Sequence, residues 1–172
     1  ALIGGSGSAR LQIWLNLPAN EKFRNPETFL HNSDALPVIE NEGHRIQIMM
    51  GDLQGKASPV ETHSPAFYYH IKLEAGHRLD IPVKDGNNAF IYVVKGVVEL
   101  ENRTLVAAAQ LALYERQGET LRYYSETGCE FLVLGGNPLD EPFYSYGPFV
   151  MNTPEQIELC FQNYRTGKMV EL

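Results

Sequence analysis

Residues 67–76 read FYYHIKLEAG. In an extended chain successive side chains point to opposite faces, so Phe67, Tyr69, Ile71 and Leu73 share one side while Tyr68, His70 and Lys72 share the other. That is the pattern of a strand with one face on a core, and it places His70 on the more polar side. Glu74-Ala75-Gly76-His77 closes the segment as a turn, with Gly available for positive φ.

Outward from this strand the same grammar repeats. Arg45–Met50, Ala89–Val94, Val97–Glu101, Gln110–Tyr114, Thr120–Tyr124 and Glu130–Leu134 are short strand-like runs, and Asp85-Gly86-Asn87-Asn88 and Lys95-Gly96 read as turns between them. Seven such segments with no helix between them predict an all-β antiparallel sandwich or barrel. Towards the N-terminus, Leu11, Ile13, Leu15 and Leu17 alternate with Gln12, Trp14 and Asn16, which predicts a strand ended by Pro18. Residues 19–37 read as a long connection with a helical turn. One helix is expected, at the C-terminal end. Thr153 fits its N-cap, Pro154 its first position, Gln156 the third position of a capping box, and Gly167 its stop. Ile157, Cys160, Phe161 and Tyr164 form its apolar stripe. The preceding EPFYSYGPFVMNT, rich in Pro and aromatics, reads as an ordered loop or edge that seals a core or meets a partner.

The 172 residues suffice for one globular core without a disulfide or metal to hold it. Lys and Arg number 14 against 21 Asp and Glu, a net charge of −7, which disfavours phosphate backbones and anionic lipid. No apolar run approaches a membrane span and no signal core follows the start, so a soluble, cytoplasmic chain is expected. Ala1–Ala9, ALIGGSGSA, lacks an initiator Met and reads as a flexible lead-in, as at a cut end. Cys129 and Cys160 sit apart, without CxxC or zinc spacing, and are expected as reduced thiols.

Few residues suggest chemistry. Of His31, His44, His63, His70 and His77, only His63 has a carboxylate at suggestive spacing, Glu61 two residues before it. Those two share a face if extended, and His70 or His77 could join them across a hairpin, making Glu61, His63, His70 and His77 the only metal candidates. Ser6 lies in the lead-in, not in a nucleophile elbow. Neither Gly4, Gly5 and Gly7 nor Gly135-Gly136 opens a helix as a phosphate loop does.

Three stretches carry a resemblance: RLQIWLNLP at 10–18, NAFIYVVKG at 88–96 and above all GNPLDEPFYSYGPFVMNT at 136–153. They resemble the pirin family of the cupin superfamily, from about Arg10 to the terminal helix. The resemblance implies an antiparallel cupin (jelly-roll-like) barrel with one C-terminal α-helix. It divides the chain into the lead-in 1–9, a strand and connection 10–37 as at the junction between pirin domains, and a C-terminal barrel plus helix over 38–172. In pirins three histidines and a glutamate of the N-terminal barrel hold the metal, and this sequence is expected to begin after them. Where a cupin motif places its paired histidines and glutamate, this chain has Lys84, Asp85, Gly86, Asn87, Asn88 and Ala89, and the third histidine position falls near Leu121. The barrel is therefore expected to be degenerate and metal-free, with no catalytic or cofactor residues to carry over.

The reading is a binding or assembly module without catalysis of its own, partnered by a second copy in a homodimer or by another protein, and by neither nucleic acid nor membrane. Leu11, Ile13, Trp14, Leu15, Tyr144, Tyr146 and Phe149 are the expected interface, with the first strand pairing across subunits. The alternative is a quercetinase-type dioxygenase using iron or another divalent metal, through a substitute site or a partner chain. The family's association with nuclear transcription regulators offers a third role, as a protein-binding cofactor.

Overall fold

The computed structural model describes residues 11–169, so the lead-in Ala1–Ala9, with Ser6 and its glycines, lies outside the described residues. The chain forms two compact units, one over His31–Pro138 and the other from the segments up to Leu30 and from Leu139 onward.

The His31–Pro138 unit is built almost wholly of antiparallel strands. In chain order they are β1 (Val38–Asn41), β2 (His44–Met50), β3 (Asp52–Leu53), β4 (Lys56–Ala57), β5 (Ala66–Leu73), β6 (His77–Pro82), β7 (Asn88–Leu100), β8 (Leu105–Ala107), β9 (Leu111–Leu113), β10 (Thr120–Ser125) and β11 (Cys129–Gly136). Nine of them join in the order β1-β2-β5-β11-β7-β10-β6, with β8 and β9 also on β7, while β3 and β4 pair separately. The sheet curls so that Ile71, Ile81, Ile91, Val93, Val98, Phe131 and Val133 meet in one core, each with no exposed surface. As the alternation in FYYHIKL requires, Tyr69, Ile71 and Leu73 are buried and His70 is not.

β7 makes the curl. Two strands with a turn at Lys95-Gly96 are expected from the sequence, but the chain runs on as one strand of 13 residues. Up to Gly96 it pairs with β11 and β9, and beyond it with β8 and β10. The registers Glu130↔Lys95 and Phe131↔Val93 leave Val94 as an extra residue, a β-bulge. A one-residue slip moves the inward face from odd to even positions. That is why Val93 and Val98 are both wholly buried while Val94 and Val97 are exposed. Gly96 has φ +80°, and a Cβ there would collide with the Gly128 carbonyl. The glycine signal is correct, but it marks the close approach of β11 beside the bulge rather than a turn.

In the second unit, β12 (Tyr144–Tyr146) and β13 (Phe149–Met151) form a hairpin where a loop or edge is expected. The Pro148 that argues against a strand sits in the connection between them. Helix α1 (Pro154–Arg165) starts as expected: the Thr153 side chain accepts from the Gln156 amide, and Gln156 reaches back to Thr153 in a full capping box. Ile157 and Cys160 are buried with Met151, and Phe161 packs edge-on to Phe149 and Tyr146. Tyr164, the last of the predicted stripe, is 68% exposed.

The strand expected over residues 11–17 does not form. These residues lie outside any regular element, and Leu11, Ile13, Trp14 and Leu15 are exposed. A strand exists only against a neighbour that takes its backbone hydrogen bonds, and among the described residues no strand pairs with this one.

Candidate functional site

The described metal candidates do not converge. Glu61 and His63 lie exposed in the loop between β4 and β5. On the outer face of β5, His70 Nε2 bonds Glu130 Oε1 of β11 at 2.6 Å, a diagonal cross-strand pair whose spacing appears only once the register is known. At the start of β6, His77 binds the Ala75 carbonyl oxygen through Nδ1 at 3.0 Å. It lies close enough to His44 to lower that imidazole's pKa, which partial burial lowers further and more strongly. Among the described residues no three His, Cys, Asp or Glu side chains gather to hold a metal ion.

Concavity is found instead at one end of the His31–Pro138 unit. Asp52, Leu53 and Gln54 of β3 and its turn, Pro65–Phe67 and Tyr69 at the start of β5, Pro82–Lys84 and Asn87 after β6, and Asn137 just past β11 line a cavity of about 460 Å³. Three glycines let the strands close in around it. A Cβ on Gly135 would strike the Asn88 carbonyl and the Phe67 ring, one on Gly136 would lie 2.6 Å from the Pro65 oxygen, and one on Gly51 would lie 2.6 Å from the Ala66 oxygen. Gly135-Gly136 thus serves close packing beside Phe67. Phe67 stacks on Tyr69, centroids 5.4 Å apart at 20°. The Tyr69 hydroxyl donates to the Asp52 carbonyl at 2.6 Å; burial, with the Asp52 charge, pushes its pKa up to about 12.

This is the end at which the sequence places the cupin ligand positions, and the side chains there can be examined singly. Lys84 and Asn87 line the cavity. Asp85 Oδ1 is engaged by the Gly118 amide at 2.8 Å, and Asn88 Oδ1 by Arg116 Nε at 2.7 Å. Ala89 and Leu121 face the core, 3% and 6% exposed. The lining thus offers an ammonium, three carboxamides and one carboxylate, with no imidazole or thiolate. That donor set does not fit the histidine-rich site an iron or nickel dioxygenase needs.

Deeper in the barrel lie the hydroxyls of Tyr114 and Tyr123. Tyr123 is buried against Phe131, ring centroids 4.9 Å apart, and its hydroxyl couples to that of Tyr114, yet neither oxygen has a partner in hydrogen-bond geometry. Burial raises the Tyr123 pKa well above its usual value and Tyr114's to about 12.

Residues 68–170 match the Pirin C-terminal cupin domain. The chain belongs to the pirin family. It is 34% identical over 170 residues to a tomato (Solanum lycopersicum) pirin-like protein, covering 95% of this chain and 58% of that one. It is 35% identical over 164 residues to a Pseudomonas aeruginosa protein named "Putative quercetin 2,3-dioxygenase", covering 91% and 57%. A solved quercetin 2,3-dioxygenase from Acinetobacter baumannii superposes with a TM-score of 0.85 at 28% identity, over 91% of this chain and 55% of that one. The cupin fold expected from the sequence is thereby established. The chain spans about half to two thirds of the length of the curated relatives it matches.

Proposed function

We propose that this pirin cupin acts as a metal-free binding or assembly module. The observation that carries the reading is the chemistry at the cupin ligand positions: an ammonium at Lys84 and core hydrocarbon at Ala89 and Leu121. A cation beside a would-be metal repels it, and alanine and leucine have no donor atom. For assembly, the support is the 11–17 segment. It has strand alternation without a strand partner, and it lines, with Lys22 and Val150, a mostly apolar groove of about 390 Å³ around Trp14 and Leu15. A second copy adding this segment to a sheet edge would form the expected homodimer; another pirin-length chain or a regulatory protein could take the same strand.

The alternative, dioxygenation through a divalent metal, is favoured by the names of the relatives and needs the ligands to come from a partner chain or a substitute site. Elemental mass spectrometry on the purified chain, before and after loading with ferrous, nickel and copper ions, decides between them. Loss of all ions on desalting supports the module. One ion retained per chain, with flavonol turnover, overturns it. Light scattering tests assembly: a dimer that Ile13→Lys dissociates is the expected result, and a monomer at high micromolar concentration removes the homodimer.

A further inference from the structure

The cavity at the end of the barrel has a composition that selects a ligand. Resting on the metal-free reading, we propose that it binds a small aromatic acid carrying a phenolic hydroxyl, the hydroxybenzoate class. Its single cation is Lys84, and among the described residues no side chain pairs with that ammonium. Gln54, Asn87 and Asn137 likewise have side-chain amides without protein partners, so three NH₂ groups and the ammonium can serve one carboxylate. Asp52 is the single carboxylate in the lining. It disfavours a second negative charge nearby and accepts from a neutral hydroxyl, which excludes di-anions such as phosphate monoesters and leaves a phenol as the complementary group. Phe67, stacked on Tyr69, supplies a flat apolar wall for a ring. A volume of about 460 Å³ lies within the ordinary range of small-molecule sites, which are characteristically apolar with a few converging polar groups and recur at barrel mouths.

The test uses the whole chain and titrates 3,4-dihydroxybenzoate, benzoate, catechol and phenylalanine, read by calorimetry and by backbone amide shifts, with and without a chelator. The expected result is a dissociation constant on the order of 0.1–1 mM for dihydroxybenzoate, unchanged by chelator, with shifts at Gly51, Phe67 and Asn137. Lys84→Gln, an exposed substitution that threatens no packing, should weaken it by roughly tenfold. Asp52→Asn should weaken dihydroxybenzoate several-fold while benzoate binds as well or better. The proposal is overturned by no shift with any probe, by catechol binding as tightly as the acid, by phenylalanine binding more tightly than the acid, or by Lys84→Gln without effect. Binding abolished by chelator, in a sample whose metal content is one ion per chain, overturns the metal-free reading as well. Absence of binding in a metal-free sample overturns the ligand alone.

Discussion

Replacing Tyr123 by Phe takes one oxygen out of the barrel interior, and the structure sets the expected sign. Tyr123 is 2% exposed, and its hydroxyl faces that of Tyr114 with no partner in hydrogen-bond geometry. Burial pushes Tyr114's pKa up to about 12 and raises Tyr123's well above its usual value, so both are protonated donors at neutral pH. Two hydroxyls that see only each other satisfy at most one of their two protons. Leaving a buried donor unsatisfied costs about 1–3 kcal/mol. Tyr123→Phe removes that donor and keeps the ring against Phe131. It should leave stability unchanged or raise it by up to about 2 kcal/mol, a gain of roughly 2–4 °C in Tm per kcal/mol for a chain of this length. Tyr114→Phe alone should gain less, since it leaves the more deeply buried hydroxyl behind, and the double variant should match or exceed Tyr123→Phe. Tyr123→Ala, the control for lost packing, should cost about 3–5 kcal/mol. Urea unfolding followed by circular dichroism reads all four. If Tyr123→Phe costs more than about 1 kcal/mol with an unchanged m-value, the hydroxyl is well satisfied in the native protein and the reasoning fails.

Gly96→Ala should cost at least ~2 kcal/mol, from positive φ and from the collision with Gly128; a neutral result in urea would mean that the bulge does not hold β7 in its double register. In an alkaline titration followed by tyrosinate absorbance, Tyr69 and Tyr114 should ionise only near 12. The unfolded chain ionises first, near its usual value of about 10, so stability should fall as the pH rises from about 10 to about 12. The His44 pKa is lowered by burial and by His77, so the unfolded chain takes up the proton first and stability should fall as the pH drops below about 6.5. His44→Gln should flatten that limb of a Tm-against-pH curve, and an unaltered limb would assign it elsewhere. Thr153→Ala should cost about 1 kcal/mol by removing the cap of α1, seen as faster amide exchange in its first turn.

Sequence reading succeeded where the signal is local. Alternation located β2, β5, β10 and β11, and a capping box located α1 to the residue. It missed β6, although Leu79 and Ile81 alternate with Arg78 and Asp80, because Pro82 and the neighbouring turns dilute so short a run. The single β7 was read as two strands because a positive-φ glycine inside a strand, beside a bulge, looks like a turn glycine, and only the register tells them apart. The 11–17 alternation is real, but a strand is a relation between two segments, and one segment cannot supply it. The cavity was the least legible feature. Lys84 and Asn87 stand where the motif comparison directs attention, whereas Asp52, Gln54, Phe67 and Asn137 come from strand ends far apart in sequence. Only the crossing of β5, β11 and β7 puts them around one space.

The position of Tyr69 then bears on which chemistry this barrel can support. Its ring is 3% exposed and its hydroxyl is held by the Asp52 carbonyl, so it forms the inner limit of the cavity. One step further along β5, Ile71 is already in the closed core with Ile81, Ile91 and Val133. A ligand in the cavity therefore stays near the mouth, beside the exposed Asp52, Gln54 and Lys84. Catalysis that depends on excluding water and on charges aimed at a developing intermediate calls for a deeper, drier setting. The recognition proposed above makes no such demand, since polar contacts to an ammonium and carboxamides hold in partly wet surroundings. Ala89 and Leu121, which bring no donor atom, are packed into the core behind it. On this physical ground the space beside Lys84 and Asp52 opens at the mouth of the barrel and ends at Tyr69.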